Sequence, residues 1–110
     1  MKVMWCWRCK QEVGMLDEAE YAVIHDIYME CLEKTKNYRK ETGISLDKTP
    51  LNDFFKPVCE EYERLTGYKG FNHNAIMHHR LYIYGPPCQR CGKPLRTPRA
   101  KMCAACGCNV

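Results

Sequence analysis

The sequence predicts a mainly α protein, with two long amphipathic helices and a shorter third, that ends in a small cysteine-rich β-hairpin module. Three observations predict it. Apolar residues recur at intervals of three and four between residues 17 and 65, glycines stand where each periodic stretch stops, and two Cys-x-x-Cys-Gly units lie within residues 88–107.

Taken in order, Trp5-Cys6-Trp7-Arg8-Cys9-Lys10 reads as a tight CxxC turn, too short for a helix or strand of its own. Asp17-Glu18-Ala19-Glu20 then has the layout of a helix start: an acid that can cap, another three residues on, and negative charge at the positive end of the helix dipole. Ile24, Ile27, Tyr28, Cys31, Leu32 and Tyr38 form the apolar stripe of the helix that follows, and Gly43 ends it. Cys31 is expected in the core, and His25, beside the stripe, is expected to be partly buried.

Ile44 to Lys48 reads as a connector. Thr49-Pro50 starts a second helix, because proline at the first helical position loses no hydrogen bond. Leu51, Phe54, Phe55, Val58, Cys59, Tyr62 and Leu65 make its stripe up to Gly67, so two antiparallel helices are expected. Asn72 or Asn74 can cap a third helix over residues 75–81. Tyr82-Ile83-Tyr84 reads as a brief strand, which Gly85-Pro86-Pro87 interrupts. The expected organisation is one domain over residues 1–110: an amino-terminal knuckle (1–16), a helical body (17–81) and a carboxyl-terminal module (82–110).

A chain of 110 residues with 45% hydrophobic and 27% charged residues has ordinary globular composition, which argues against a disordered chain. No apolar run is long enough to span a bilayer, and Met1 to Cys6 lacks the layout of an export signal. A soluble, cytoplasmic protein is therefore expected. In a reducing compartment its nine cysteines point to metal ligation rather than disulfides.

The chemistry is concentrated in Cys88-Gln89-Arg90-Cys91-Gly92 and Cys103-Ala104-Ala105-Cys106-Gly107. Two residues between cysteines let both sulfurs converge on one tetrahedral ion. The glycine after each pair permits a positive φ that turns backbone N–H groups toward the sulfurs. Cys88, Cys91, Cys103 and Cys106 are thus expected to hold one zinc ion, and four thiolates close its shell, so the role is structural rather than hydrolytic. Residues 88–107 resemble the zinc-ribbon class, in which two such knuckles on facing hairpins supply four ligands. The spacing of eleven residues between Cys91 and Cys103 implies a short hairpin.

Cys6 and Cys9 form a third knuckle, with Lys10 in place of the glycine. A second zinc ion is expected there, its remaining ligands either Cys108 and one of His73, His78 and His79, or supplied by interleaved knuckles so that the two chain ends share an ion. Of His78 and His79, one is expected to face the core and donate a hydrogen bond, while the other is exposed or ligates metal.

Residues 81–110 carry Arg90, Lys93, Arg96, Arg99 and Lys101 and no acid, whereas residues 1–80 are nearly balanced. Part of this excess offsets the formal charge of minus two on a zinc held by four thiolates. The rest leaves three functional readings. The first is a non-enzymatic protein-interaction module, an adaptor or an inhibitor of the immunity-protein kind, since no nucleophile–base pair, phosphate loop or open metal site is evident. The alternative is a nucleic-acid-binding protein whose Arg90, Lys93, Arg96, Arg99 and Lys101 contact phosphates, with Tyr82 or Tyr84 stacking on a base. Third, Asn72-His73-Asn74 beside CxxC pairs resembles the HNH nucleases, which would imply a metal-dependent nuclease; the order of strand histidine, helical asparagine and helical histidine that those enzymes use is not assignable here.

Overall fold

The computed structural model describes residues 1–109 and is mainly helical, with one small antiparallel sheet. The chain opens with a hairpin that the sequence reading missed: β1 (Lys2–Cys6) pairs antiparallel with β2 (Gln11–Met15), Cys6 opposite Gln11, so that the first CxxC unit forms the tip. The knuckle turns the chain and the flanking residues pair as a consequence. Val13 and Met15 bury one face of β2 with Cys6.

Helix α1 (Glu18–Thr42) begins with the expected capping box: the Glu20 N–H donates to the Asp17 carboxylate at 2.8 Å and the Asp17 N–H to Glu20 at 3.0 Å. It ends at Gly43, whose φ of 69° closes the last turn on the Arg39 carbonyl. Cys31 is buried as expected, but His25 is exposed, lying to the solvent side of the stripe.

The second helix is broken in two, α2 (Leu51–Phe54) and α3 (Lys56–Thr66), with Pro50 rather than Thr49 in the capping position. Pro57 explains the break. In a continuous helix it would have no N–H for the Asp53 carbonyl and its ring would crowd that carbonyl, so Phe55 leaves helical geometry at φ −98°, ψ 9°. The apolar stripe survives the break: Phe55, Val58 and Tyr62 join Leu16, Ile24, Cys31 and Ile76 in the main core, with Cys59 packed against it.

The third helix starts at the expected cap but earlier and is shorter than expected. Asn72 accepts from the Asn74 N–H at 2.8 Å, and α4 covers only His73–Ile76. Leu81–Ile83 is a 3₁₀ turn, not a strand, closed by N–H···O bonds from Ile83 to Arg80 and from Tyr84 to Leu81, which take up the N–H groups a ladder would use.

One backbone contact positions the functional residues. Leu16, at the end of β2, takes a bridge from the segment after α4: its N–H donates to the His79 carbonyl at 2.7 Å, and its carbonyl accepts from the Leu81 N–H at 3.0 Å. His79 is thereby carried to the hairpin. The last segment, expected as a β-hairpin, is reduced to two isolated antiparallel bridges, Pro87–Pro94 and Met102–Asn109. Pro86, Pro87, Pro94 and Pro98 remove the N–H groups a longer ladder would need. Its small core is Cys88, Leu95 and Cys103. Among the described residues no helix is long and apolar enough to cross a membrane.

Candidate metal centres

All three CxxC units adopt the same turn. The N–H of the residue after each second cysteine donates to the carbonyl of the first at 2.8 Å: Lys10 to Cys6, Gly92 to Cys88 and Gly107 to Cys103. These three residues have φ of 55°, 79° and 74°, so Lys10 occupies the left-handed region that glycine fills in its counterparts. The departure noted in the sequence alters the residue and leaves the turn intact.

In the carboxyl-terminal module Cys88, Cys91, Cys103 and Cys106 bring four sulfurs within 4.8 Å of one another. The sulfurs pair across the knuckles, Cys88 with Cys106 at 3.7 Å and Cys91 with Cys103 at 3.5 Å, well beyond the roughly 2.05 Å of a disulfide. Their acidities alternate. Backbone N–H groups of Cys91 and Arg90 hold the Cys88 thiol down to about 6, and those of Cys106 and Ala105 lower Cys103. Cys91 is displaced upward: the Lys93 N–H acts downward on it, but burial and the sulfurs of Cys103 and Cys88 outweigh that pull. Cys106 receives a downward pull from the Cys108 N–H, which burial and the other three sulfurs override, raising it to about 12. Each easily ionised sulfur thus faces one that keeps its proton. The four sulfurs could hold a metal cation, which would displace those shared protons and take all four as thiolates.

The second group is Cys6, Cys9 and His79, whose donor atoms also lie within 4.8 Å of one another. Cys9 Sγ is 3.2 Å from His79 Nε2. Cys6 and His79 are fully buried, and burial lowers the His79 imidazole to about 4, with the neighbouring His78 adding to the effect, so the ring is neutral near pH 7 as a ligand must be. Its orientation is fixed from behind. The Tyr62 hydroxyl donates to the Gly14 carbonyl at 2.8 Å and lies 2.9 Å from His79 Nδ1, so its oxygen accepts a hydrogen bond from Nδ1–H and leaves the Nε2 lone pair facing Cys9. A histidine ligand backed by a hydrogen-bond acceptor is the usual outer-shell arrangement of metal sites. Burial, reinforced by the charge of Cys6, pushes the Cys9 thiol up to about 11. Beside Cys6, the Tyr84 hydroxyl sits 3.7 Å from the sulfur and donates to the His78 carbonyl at 3.1 Å.

The remaining candidates go elsewhere. His73 is buried and stacks on Phe55, ring centroids 4.3 Å apart and planes 11° from parallel. His78 is half-exposed, and Cys108 directs its thiol at the Asn109 carbonyl while its own carbonyl closes the last knuckle by accepting from Cys103. Among the described residues only the two groups above gather three or more metal-ligating side chains. The choice of His79 over its neighbours was not legible in the spacing; it depends on the Leu16 bridge and the Tyr62 hydroxyl, contacts distant in sequence.

Of the basic residues, Lys93 lies 3.9 Å from the centroid of the Trp5 ring and Arg96 5.8 Å from that of Trp7. Trp7 in turn donates its indole N–H to the Pro94 carbonyl at 2.9 Å, joining the first knuckle to the carboxyl-terminal module. Arg90, Arg99 and Lys101 are exposed, and none of the five forms an ion pair among the described residues. No known protein family, curated protein or solved structure matches this chain.

Proposed function

We propose that the protein is a non-enzymatic, zinc-braced binding module and that its partner is nucleic acid. Zinc suits the four-cysteine set, and Cys6, Cys9 and His79 are three donors of the kinds zinc takes. A tetrahedral ion with Zn–S bonds of roughly 2.3 Å requires sulfurs about 3.8 Å apart, close to the 3.5 and 3.7 Å between the paired cysteines. The four-sulfur shell leaves no position for a reacting water, which supports a brace at that centre, whereas the three donors Cys6, Cys9 and His79 leave a fourth position to another ligand. The dispersal of His73, His78 and His79 into three different surroundings favours a binding role over the nuclease reading.

The observation that carries the choice of partner is the distribution of charge. Residues 17–67 contain every acid but Glu12, whereas residues 1–16 and 68–110 contain Lys2, Arg8, Lys10, Lys69, Arg80, Arg90, Lys93, Arg96, Arg99 and Lys101. Lys69 and Arg80 pair with Glu63 and Glu18 of the helical body. The other eight have no ion pair among the described residues, and Glu12 together with a zinc–tetrathiolate charge of minus two offsets only three of them. Metal housekeeping therefore leaves a net excess of five positive charges on the cysteine-bearing segments, the footprint of a phosphate-binding surface.

The test is fluorescence anisotropy with labelled oligonucleotides between 50 and 200 mM salt. The reading predicts binding that weakens steeply with salt and less steeply after Arg96 and Arg99 are neutralised together. No association with any single strand or duplex at the low-salt end contradicts it. A protein partner is the second reading, favoured by Val23, Met29 and Leu46, 48%, 47% and 54% exposed on the helical body; a stoichiometric protein recovered in a pull-down and lost on replacing those three by Ser supports it.

A further inference from the structure

Between the first knuckle and the carboxyl-terminal module lies a crevice of 340 Å³ lined by Trp7, Arg8, His78, Tyr84, Arg96 and Thr97 among others, with no carboxylate in its wall. We infer that this crevice seats a backbone phosphate of single-stranded nucleic acid, with the neighbouring Tyr82 ring as the platform for an unpaired base. The inference rests on the nucleic-acid reading above and names the place and the strand state.

Arg8, Arg96 and His78 all line the crevice, and neither arginine is ion-paired among the described residues. Arg96 is partly ordered by the Trp7 ring beneath it, so less side-chain freedom is lost when an anion arrives. A larger crevice nearby, of 400 Å³ with Lys2 and Lys93 in its wall, also contains Glu12, which repels an anion. The two walls of the chosen crevice have different supports. Arg8 sits between the ligands Cys6 and Cys9, whereas Arg96 follows Leu95 in the core of the four-cysteine module. Each wall is therefore set by one of the two metal centres, and the Trp7–Pro94 hydrogen bond fixes the gap. That arrangement gives the amino-terminal centre a role that folding of the helical body does not require.

The preference for a single strand comes from Tyr82. It is 71% exposed, the most exposed of the large apolar side chains, and adjoins Ile83, which lines the same crevice. Arg80 lies 5.4 Å from its ring centroid and pairs through Nε and Nη2 with the two Glu18 carboxylate oxygens, so the ring is backed on that side by a fixed group. An exposed aromatic face is covered by a base only where that base is unstacked, which a duplex does not offer.

The experiment uses the zinc-loaded full chain and measures anisotropy of a labelled ten-nucleotide deoxythymidine strand, a duplex of equal length and a phosphoserine peptide. Four proteins are compared: wild type, R8Q/R96Q, R90Q/R99Q and Y82A, each with its metal content confirmed. The expected result is tighter binding of the strand than of the duplex, with a loss of about tenfold or more in R8Q/R96Q and a salt slope lower by about 0.7 for the one lost phosphate contact. Y82A is expected to weaken strand binding by about 5- to 100-fold and to leave duplex binding unchanged. If R90Q/R99Q weakens binding while R8Q/R96Q and Y82A do not, the crevice is refuted and the broader nucleic-acid reading stands. If no wild-type binding occurs at 50 mM salt, the broader reading fails with it. If the phosphoserine peptide binds more tightly than the strand and is lost in R8Q/R96Q, the site is an anion seat for protein and the proposed partner is overturned. Should R8Q/R96Q lose zinc, the R8K/R96K variant decides: retained metal with binding reduced severalfold supports the crevice, and wild-type binding there refutes a requirement for the guanidinium pair.

Discussion

Replacing Tyr62 with Phe removes one oxygen and tests how the amino-terminal metal centre is built. That oxygen accepts from His79 Nδ1 at 2.9 Å and donates to the Gly14 carbonyl at 2.8 Å, and Tyr62 is 1% exposed, so water cannot replace it without rearrangement. A buried polar group left without a partner costs about 1–3 kcal/mol, and the substitution affects two. The histidine also loses the acceptor that fixes its tautomer, a change that typically costs about 10- to 100-fold in metal affinity. That range corresponds to about 1.4–2.7 kcal/mol. The assay is competitive zinc titration combined with urea unfolding, in the wild-type background and in Cys6→Ser. Tyr62→Phe is expected to weaken one of two zinc sites in the first background, to destabilise both proteins, and to leave the four-cysteine site untouched. Unchanged zinc affinity refutes the reasoning, because His79 would then be held by something other than Tyr62.

Lys10→Gly is expected to raise stability by about 1 kcal/mol, since Lys10 holds a φ of 55° that glycine adopts without the Cβ penalty; urea unfolding of the zinc-loaded protein checks it. Gly14→Ala is expected to cost about 1–3 kcal/mol by the same measurement, because the new Cβ would lie 2.8 Å from Thr66 Cβ, where β2 packs on α3. Acidification should destabilise the metal-free protein through His79. Its folded value of about 4 lies below the ordinary 6.5, so the unfolded chain binds more protons between those values and stability falls as pH drops through that window. Comparing unfolding midpoints of wild type and His79→Gln between pH 7 and pH 4 tests this, the variant being expected to show the flatter dependence.

The helical body was legible because its signals are local. Asp17 and Glu20 cap their own helix, Gly43 and Gly67 take the left-handed conformation their positions require, and the stripe from Phe55 to Tyr62 faces the core. The four-cysteine cluster was legible for the same reason, since two knuckles twelve residues apart at Cys91 and Cys103 have few ways to meet. The failures share another cause. The break at Phe55 follows from Pro57, a local signal that the continuous apolar stripe obscured. The amino-terminal strands alternate weakly, and their pairing is imposed by the knuckle between them. Tyr82 to Tyr84 has strand-like residues, but after the Leu16 bridge the N–H groups of Ile83 and Tyr84 turn back onto the Arg80 and Leu81 carbonyls, and the proline-rich tail cannot extend a ladder. His79 was one of three candidates until the Leu16 bridge, 63 positions away in sequence, placed it beside Cys9.

The account depends on two separate metal centres holding the cysteine-bearing segments together, and counting metal ions per chain by native mass spectrometry tests it most directly. Two zinc ions are predicted for the wild type, one for Cys103→Ser and one for Cys6→Ser, with chelator releasing both from the wild type and loosening the carboxyl-terminal module. A chain that carries no metal and keeps the circular dichroism of the wild type in chelator, or one that loses both ions together in either variant, contradicts it.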